Sequence, residues 1–152
     1  MIIKSLSKHS GTKTLLNYLF KDEKKLTDEK YTSKMMIKHN VTGHTIERFT
    51  AQFNFNESLR ISKRKDAVSM YHTIISFSNL DKEHLDKKIL TDIAKKYIEL
   101  QGRDNMYLIT HHIEKEHIHL HIALSGTKFL TGEANRKSKK EFQKLKEDLE
   151  KE

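Results

Sequence analysis

The sequence predicts an α+β fold, a central antiparallel sheet flanked by helices, and three observations predict it. From His117 to Ile122 the chain alternates His, Ile, His, Leu, His, Ile, the period-two pattern of a strand with an imidazole face and an apolar face. From Met70 to Phe77 it reads Met-Tyr-His-Thr-Ile-Ile-Ser-Phe, rich in β-branched and aromatic residues and hence a central strand. Between such runs lie segments whose apolar residues recur at helical spacing, so strands and helices mix in one layered domain.

Taken in order, residues 1–6 read as an opening strand. After Gly11, Leu15, Leu16, Leu19 and Phe20 form an apolar stripe on a helix that also carries Tyr18. Lys21 to Thr32 is dense in charge without periodicity and reads as a loop. Lys34 to Val41 fits a strand. Ile46, Phe49, Phe53 and Leu59 mark a second helix from Thr45, interrupted by Asn54 and Asn56. Arg60 to Lys65 is a basic loop. Asn79-Leu80-Asp81 turns the chain after the Met70 strand, and Asp81 caps a third helix with a stripe at Leu85, Ile89, Ile93 and Tyr97, closed by a left-handed cap at Gly102. Met106 to His112 and His117 to Leu124 form an antiparallel hairpin joined by a short acidic turn. After a short segment at Lys128 to Leu130, a charged C-terminal helix covers 135–152, with Phe142, Leu145 and Leu149 on one side. The order is β-α-β-α-β-α-β-β-α, with the histidine hairpin at the middle of the sheet.

The chain has 152 residues, 36% hydrophobic and 33% charged, with no proline and no Gly/Ser-rich linker, so a single domain spanning 1–152 is expected. Its formal charge is +8, from 29 Lys and Arg against 21 Asp and Glu. That surplus points to a polyanionic partner, nucleic acid first and an acidic membrane surface second. The absence of cysteine excludes disulfides, thiolate metal sites and cysteine nucleophiles. No signal peptide and no spanning run is visible, so a cytoplasmic protein without membrane insertion is expected. The five glycines are too far apart to build a phosphate-binding Gly-rich loop.

Five of the ten histidines fall between His111 and His121. Imidazoles two apart on a strand point the same way, and imidazole is the commonest donor for first-row divalent metals. If Ile113 to Glu116 form the turn, His112 lies across from His117 and diagonally from His119, which brings three donors within reach. Three ligands with an open position describe a catalytic rather than a structural metal. Glu114 could coordinate, act as a general base or orient a histidine. His111 points to the other face. Tyr18 is a nucleophile only where a base or cation favours its phenolate, and otherwise packs beside Leu15.

These residues together identify a family. Met1-Ile2-Ile3-Lys4-Ser5 with Leu15-Leu16-Asn17-Tyr18-Leu19, then Tyr71-His72-Thr73-Ile74-Ile75-Ser76-Phe77-Ser78, and then His112-Ile113-Glu114-Lys115-Glu116-His117-Ile118-His119-Leu120-His121-Ile122 resemble, over residues 1–125, the plasmid mobilisation relaxases of the HUH endonuclease superfamily. Replication initiators and small transposases of that superfamily place the histidine motif before the tyrosine, so the order here matches a relaxase. The resemblance implies an HUH-type fold, with Tyr18 as nucleophile and His112, His119 and His121 as ligands of a divalent ion, Mn2+ or Mg2+. It leaves His117 as a substitute ligand or DNA contact. Glu114 stands where an aspartate is more usual. The implied activity is site- and strand-specific nicking and rejoining of single-stranded DNA at an origin of transfer through a 5′-phosphotyrosine. Lys13, Arg64, Lys137 and Lys140 are the expected DNA contacts, and a monomer working with accessory DNA-binding proteins is the expected assembly. The chain ends soon after the motif, without the helicase, primase or long C-terminal region of many relaxases. A minimal catalytic domain, a piece of a longer enzyme and a decayed copy all fit that length. A basic nucleic-acid-binding module with a structural metal, and an HUH replication initiator, are the competing readings.

Overall fold

In the computed structural model, residues 1–20, 36–62, 67–78, 85–114 and 117–151 are described, with the backbone alone at 113, 114 and 117. The expected loop at 21–32, the start of the expected strand at 34–35, the basic residues 63–65 including Arg64, the turn at 79–81 with its Asp81 cap, and residues 115–116 lie outside the described residues. Nine elements follow one another: β1 (Ile2–Lys8), α1 (Thr12–Leu19), β2 (Met36–His39), α2 (Ile46–Ser58), β3 (Met70–Ser76), α3 (Lys87–Gln101), β4 (Tyr107–Glu114), β5 (His117–Ser125) and α4 (Lys139–Glu150). The strands make one antiparallel sheet in the order β1-β3-β5-β4-β2. The histidine strand β5 is thus central, as expected, and β1 and the four-residue β2 take the edges.

Alternation along β5 divides the molecule into two layers. Ile118, Leu120, Ile122 and Leu124 pack on one face with Ile75, Tyr107 and Ile109, against Leu90, Ala94, Tyr97 and Ile98 of α3 and Leu145 and Leu149 of α4. On the other face Ala123, Leu108 and Met70 lie under Leu15, Leu16 and Leu19 of α1 and Phe49 and Phe53 of α2. The α1–α2 layer covers the apolar end of that face, and the histidines stand beside it.

Three helices differ from expectation: the C-terminal helix starts at Lys139, behind a Ser138 cap, instead of at 135, and α2 and α3 depart as follows. Asn54 and Asn56 do not break α2. An asparagine costs a helix less than about 0.7 kcal/mol, and Asn56 repays that by clamping the segment after β5. Its buried Nδ2 donates to Ser125 Oγ (3.1 Å) and to the Thr127 carbonyl (2.8 Å), and its Oδ1 accepts from the Leu130 amide (2.8 Å). Replacing Asn56 with Ala strands those partners and should cost about 2–3 kcal/mol in denaturant melts.

The cap of α3 is Asp86, through Ile89 N at 2.8 Å, and not the expected Asp81, so the helix starts at Lys87 and the expected stripe member Leu85 precedes it; the core residues are Leu90, Ala94, Tyr97 and Ile98. The expected stripe member Ile89 is 39% exposed. A strict i, i+4 stripe drifts about 40° per step around a helix of 3.6 residues per turn, so the buried stripe mixes steps of three and four. Gly102 does close α3, with φ 133° and ψ 128°, a positive φ outside the left-handed helical region expected of it.

Tyr97 is fully buried, its hydroxyl 3.3 Å from Thr73 Oγ1, and burial pushes its pKa up to about 12 from 10.0 against the smaller opposing effect of that hydrogen bond. Between those values the unfolded chain ionises and the folded one does not, so stability is complete below pH 10 and is lost as pH rises toward 12. Thermal melts from pH 9 upward should show this loss, and Tyr97→Phe should reduce but not abolish it, because burial also raises the pKa values of Tyr107 and Tyr71.

Candidate active site

The site forms where β4, β5 and β3 present imidazoles to the end of α1. The register pairs Glu114 with His117, His112 with His119, and Thr110 with His121. Only two residues separate the strands, so the expected four-residue turn is too long by two, and His119 rather than His117 lies directly across from His112. A shift of two preserves the face, so His112, His119 and His121 still share one side of the sheet. His112 and His121 rings have centroids 4.1 Å apart, and His119 and His121 rings 6.0 Å apart. His112 and His121 are buried, and His119 is half-buried.

The structure adds a histidine that sequence reasoning assigned no role. His72 on β3 is buried, its Nε2 lies 2.9 Å from His121 Nδ1, and the two rings stack with centroids 5.1 Å apart. Burial first, then the charges of Lys8 and His112, lowers its pKa from 6.5 to about 4, so the ring is neutral near pH 7. The available signal was a lone imidazole inside an apolar interior strand, since a buried polar ring demands a partner.

Tyr18 closes the group. Its ring meets those of His72, His112 and His121 edge-on, at 5.8, 5.8 and 5.7 Å, while 42% of its surface stays exposed. It is held there by its own helix: Leu15, Leu16 and Leu19 are buried, which turns Tyr18 toward the histidine end. The Leu19 carbonyl is one of the last four of the helix, which have no partner within it. It accepts instead from His112 Nε2 at 2.7 Å. A carbonyl only accepts, so that nitrogen carries the proton, and in a neutral ring Nδ1 keeps the lone pair.

Among the described residues no three His, Asp or Glu side chains already converge on one point as a metal cage. The residues fit a divalent ion by donor chemistry instead. Three imidazoles share a face, His112 Nδ1 and His121 Nε2 are buried beside a partly exposed phenol, and each of these two rings is fixed through its other nitrogen.

The remaining expected residues lie elsewhere. The Glu114 and His117 backbones are paired at the hairpin end of β4 and β5. Lys13 is exposed on α1, about 140° around the helix from Tyr18 at five residues' separation. Lys140 is exposed on α4, on the opposite side of the sheet from the histidines. Lys137 lines a separate cleft of about 600 Å³ with Arg136, Arg60, His9, Ser7 and Tyr71. Tyr71 faces away from His72 by strand alternation, so this basic cleft does not open on the histidine face. Arg60, expected in a basic loop, is largely buried and is bound by Glu57 Oε1 at 3.1 Å and the Val68 carbonyl at 2.6 Å. No helix among the described residues is long and apolar enough to cross a membrane.

Comparison with known proteins bears on the fold and the family. The chain is 32% identical over 103 residues to the group II intron-interrupted relaxase LtrB of Lactococcus lactis subsp. cremoris (strain MG1363), a match covering 66% of this chain and 17% of that protein. The chain thus matches under a fifth of the length of this curated relative. Among solved structures it resembles the MobM relaxase domain (MOBV; Mob_Pre) bound to 26-nucleotide pMV158 oriT DNA, with TM-score 0.61 and 18% identity over 98% of this chain and 83% of that one. It also resembles a Mn-bound crystal structure of that domain with 22-nucleotide oriT DNA at pH 4.6, with TM-score 0.64 and 17% identity over 98% and 84%. At that identity the likeness establishes the fold. The family model of the relaxase MobA/VirD2-like nuclease domain matches residues 18–152, beginning at Tyr18 itself. The chain therefore belongs to the relaxases, in the MobA/VirD2-like nuclease family.

Proposed function

We propose that this chain nicks and rejoins single-stranded DNA at an origin of transfer, with Tyr18 as the nucleophile and His112, His119 and His121 holding a divalent ion, Mn2+ or Mg2+. The observation that carries the reading is a partly exposed Tyr18 ring set edge-on to three buried imidazoles at 5.7–5.8 Å. A phenol packed only for stability would be covered, whereas this one is open to a strand laid along the face.

When bound, the ion supplies Lewis-acid polarisation of the scissile phosphate and offsets the charge that develops on it. Tyr18 Oη attacks the phosphorus, forming an O–P bond as the bond to the 3′ oxygen breaks. The phenolic proton passes to a base, for which Glu114 is the candidate, and the departing 3′ oxygen takes up a proton from solvent to become a free hydroxyl. The product is a 5′-phosphotyrosine, which the 3′-hydroxyl can attack to reseal the strand without an external energy source. His112 fixes the end of the helix that carries Tyr18 and so limits how far its hydroxyl strays. Glu114, at the hairpin end of β4, is proposed as general base or as orienter of a histidine.

The substrate class is supported by the fold's neighbours, since the MobM domain is bound to oriT DNA and to Mn in its solved structures. The +8 charge suits such a polyanion. Lys13 and Arg64 are proposed as phosphate contacts, whereas Lys137, in the separate cleft, and Lys140, across the sheet, lie away from a strand on the histidine face; accessory DNA-binding proteins are proposed as further partners of a cytoplasmic, monomeric enzyme. The test is incubation of the purified chain with single-stranded oligonucleotides bearing candidate transfer origins and Mn2+. A denaturation-resistant protein–DNA adduct with a new 3′-hydroxyl is expected, and chelation should abolish it while leaving the protein folded. A chain that unfolds on chelation would instead be a structural-metal module.

A further inference from the structure

We propose that His72 is a positioning residue for His121, fixing which of its ring nitrogens can bind a cation; this rests on the metal reading above. β3 lies beside β5 with His72 paired to Ala123 and Ile74 to His121, so His72 and His121 are diagonal neighbours on one face. Their Nε2 and Nδ1 atoms are 2.9 Å apart and both side chains are buried. A hydrogen bond between two neutral imidazoles holds one proton and admits two arrangements. In the first, His121 donates Nδ1–H to His72 Nε2, and His121 Nε2 keeps its lone pair. In the second, His72 donates, and His121 Nε2 carries a hydrogen that no cation can replace without a tautomer change. Only the first makes His121 a donor.

The same logic operates at His112, whose Nε2–H is held by the Leu19 carbonyl. Ligating histidines characteristically donate their other N–H to a carboxylate, a carbonyl or water, which sets ring angle and tautomer. At His121 that acceptor is an imidazole, which performs the same task without adding negative charge to a site meant to receive a phosphate. His72 is thus set apart from the ligands: it acts through His121, with its own ring also 5.8 Å from Tyr18.

The experiment is nitrogen-15 NMR of the metal-free full chain at pH 7.5, reading the His121 tautomer from two-bond nitrogen–proton correlations, followed by Mn2+ titration of wild type, His72→Gln and His72→Phe. The expected wild-type result is a proton on His121 Nδ1. Gln offers an amide oxygen to the same N–H and should keep Mn2+ affinity within about threefold, whereas Phe should weaken it about 10–100-fold with the fold retained by circular dichroism. A folded His72→Phe protein that binds Mn2+ as tightly as wild type would overturn the role. Should that variant fail to fold, the wild-type tautomer decides, because a proton on His121 Nε2 in protein that binds Mn2+ overturns the role alone. Wild-type protein that binds no Mn2+ overturns the metal reading itself.

Discussion

Tyr18→Phe should form no covalent adduct with single-stranded DNA, a loss of at least about 10³-fold, because the substitution removes the attacking oxygen and nothing else. The ring stays, so its edge contacts with His72, His112 and His121 can persist. At 42% exposure the residue contributes little core packing, and stability should change by less than about 0.5 kcal/mol. DNA affinity should hold within about threefold, since phosphate contacts rather than the nucleophile carry binding. The two measurements together are decisive. An adduct that survives in Tyr18→Phe assigns the nucleophile to another residue, and an adduct lost along with DNA binding reduces Tyr18 to a binding residue.

The second large effect separates two histidines assigned the same ligand role. His112 is buried and holds the Leu19 carbonyl at the end of α1, whereas His119, directly across from it on β5, is half-buried. Substituting Ala at either should weaken Mn2+ binding at least about 100-fold, more than loss of an outer-shell partner costs. In the metal-free state they should diverge. His112→Ala leaves a buried carbonyl without its donor and should lower unfolding free energy by about 1–3 kcal/mol, while His119→Ala should cost less than about 1 kcal/mol. His112→Ala should also slow any residual DNA cleavage more than His119→Ala at saturating Mn2+, because the helix carrying Tyr18 has lost its anchor. Equal metal-free melting curves for the two variants would remove His112's second role.

The distribution of what was legible follows the reach of each signal. Local signals located these elements: composition gave β3, and periodicity gave β5 and the apolar faces of α1 and α4 without error of face. They failed where a local rule met a tertiary one. Asn56 looks like a helix breaker until the carbonyl of Thr127 and the amide of Leu130 are within its reach. The α3 stripe was drawn at fixed i, i+4 spacing, while the sheet below selects Leu90, Ala94, Tyr97 and Ile98. Arg60 reads as part of a basic loop, yet Glu57 and the Val68 carbonyl hold it inside the fold.

By itself the sequence determined the sheet-forming runs, the imidazole face of β5 and the order of tyrosine before histidines, while the family entered as a resemblance carried by its motifs. Those are properties of spacing along the chain, and a side-chain period of two or 3.6 survives any small error in turn length. Only the tertiary structure decided that His119 faces His112, that His72 reaches His121, and that Tyr18 lies over the group they form. Hairpin register depends on the exact length of one turn, and the contact between residues 72 and 121 depends on β3 inserting next to β5. Contacts across so many residues are fixed by which faces the whole chain can bury together, and no window of sequence contains that information.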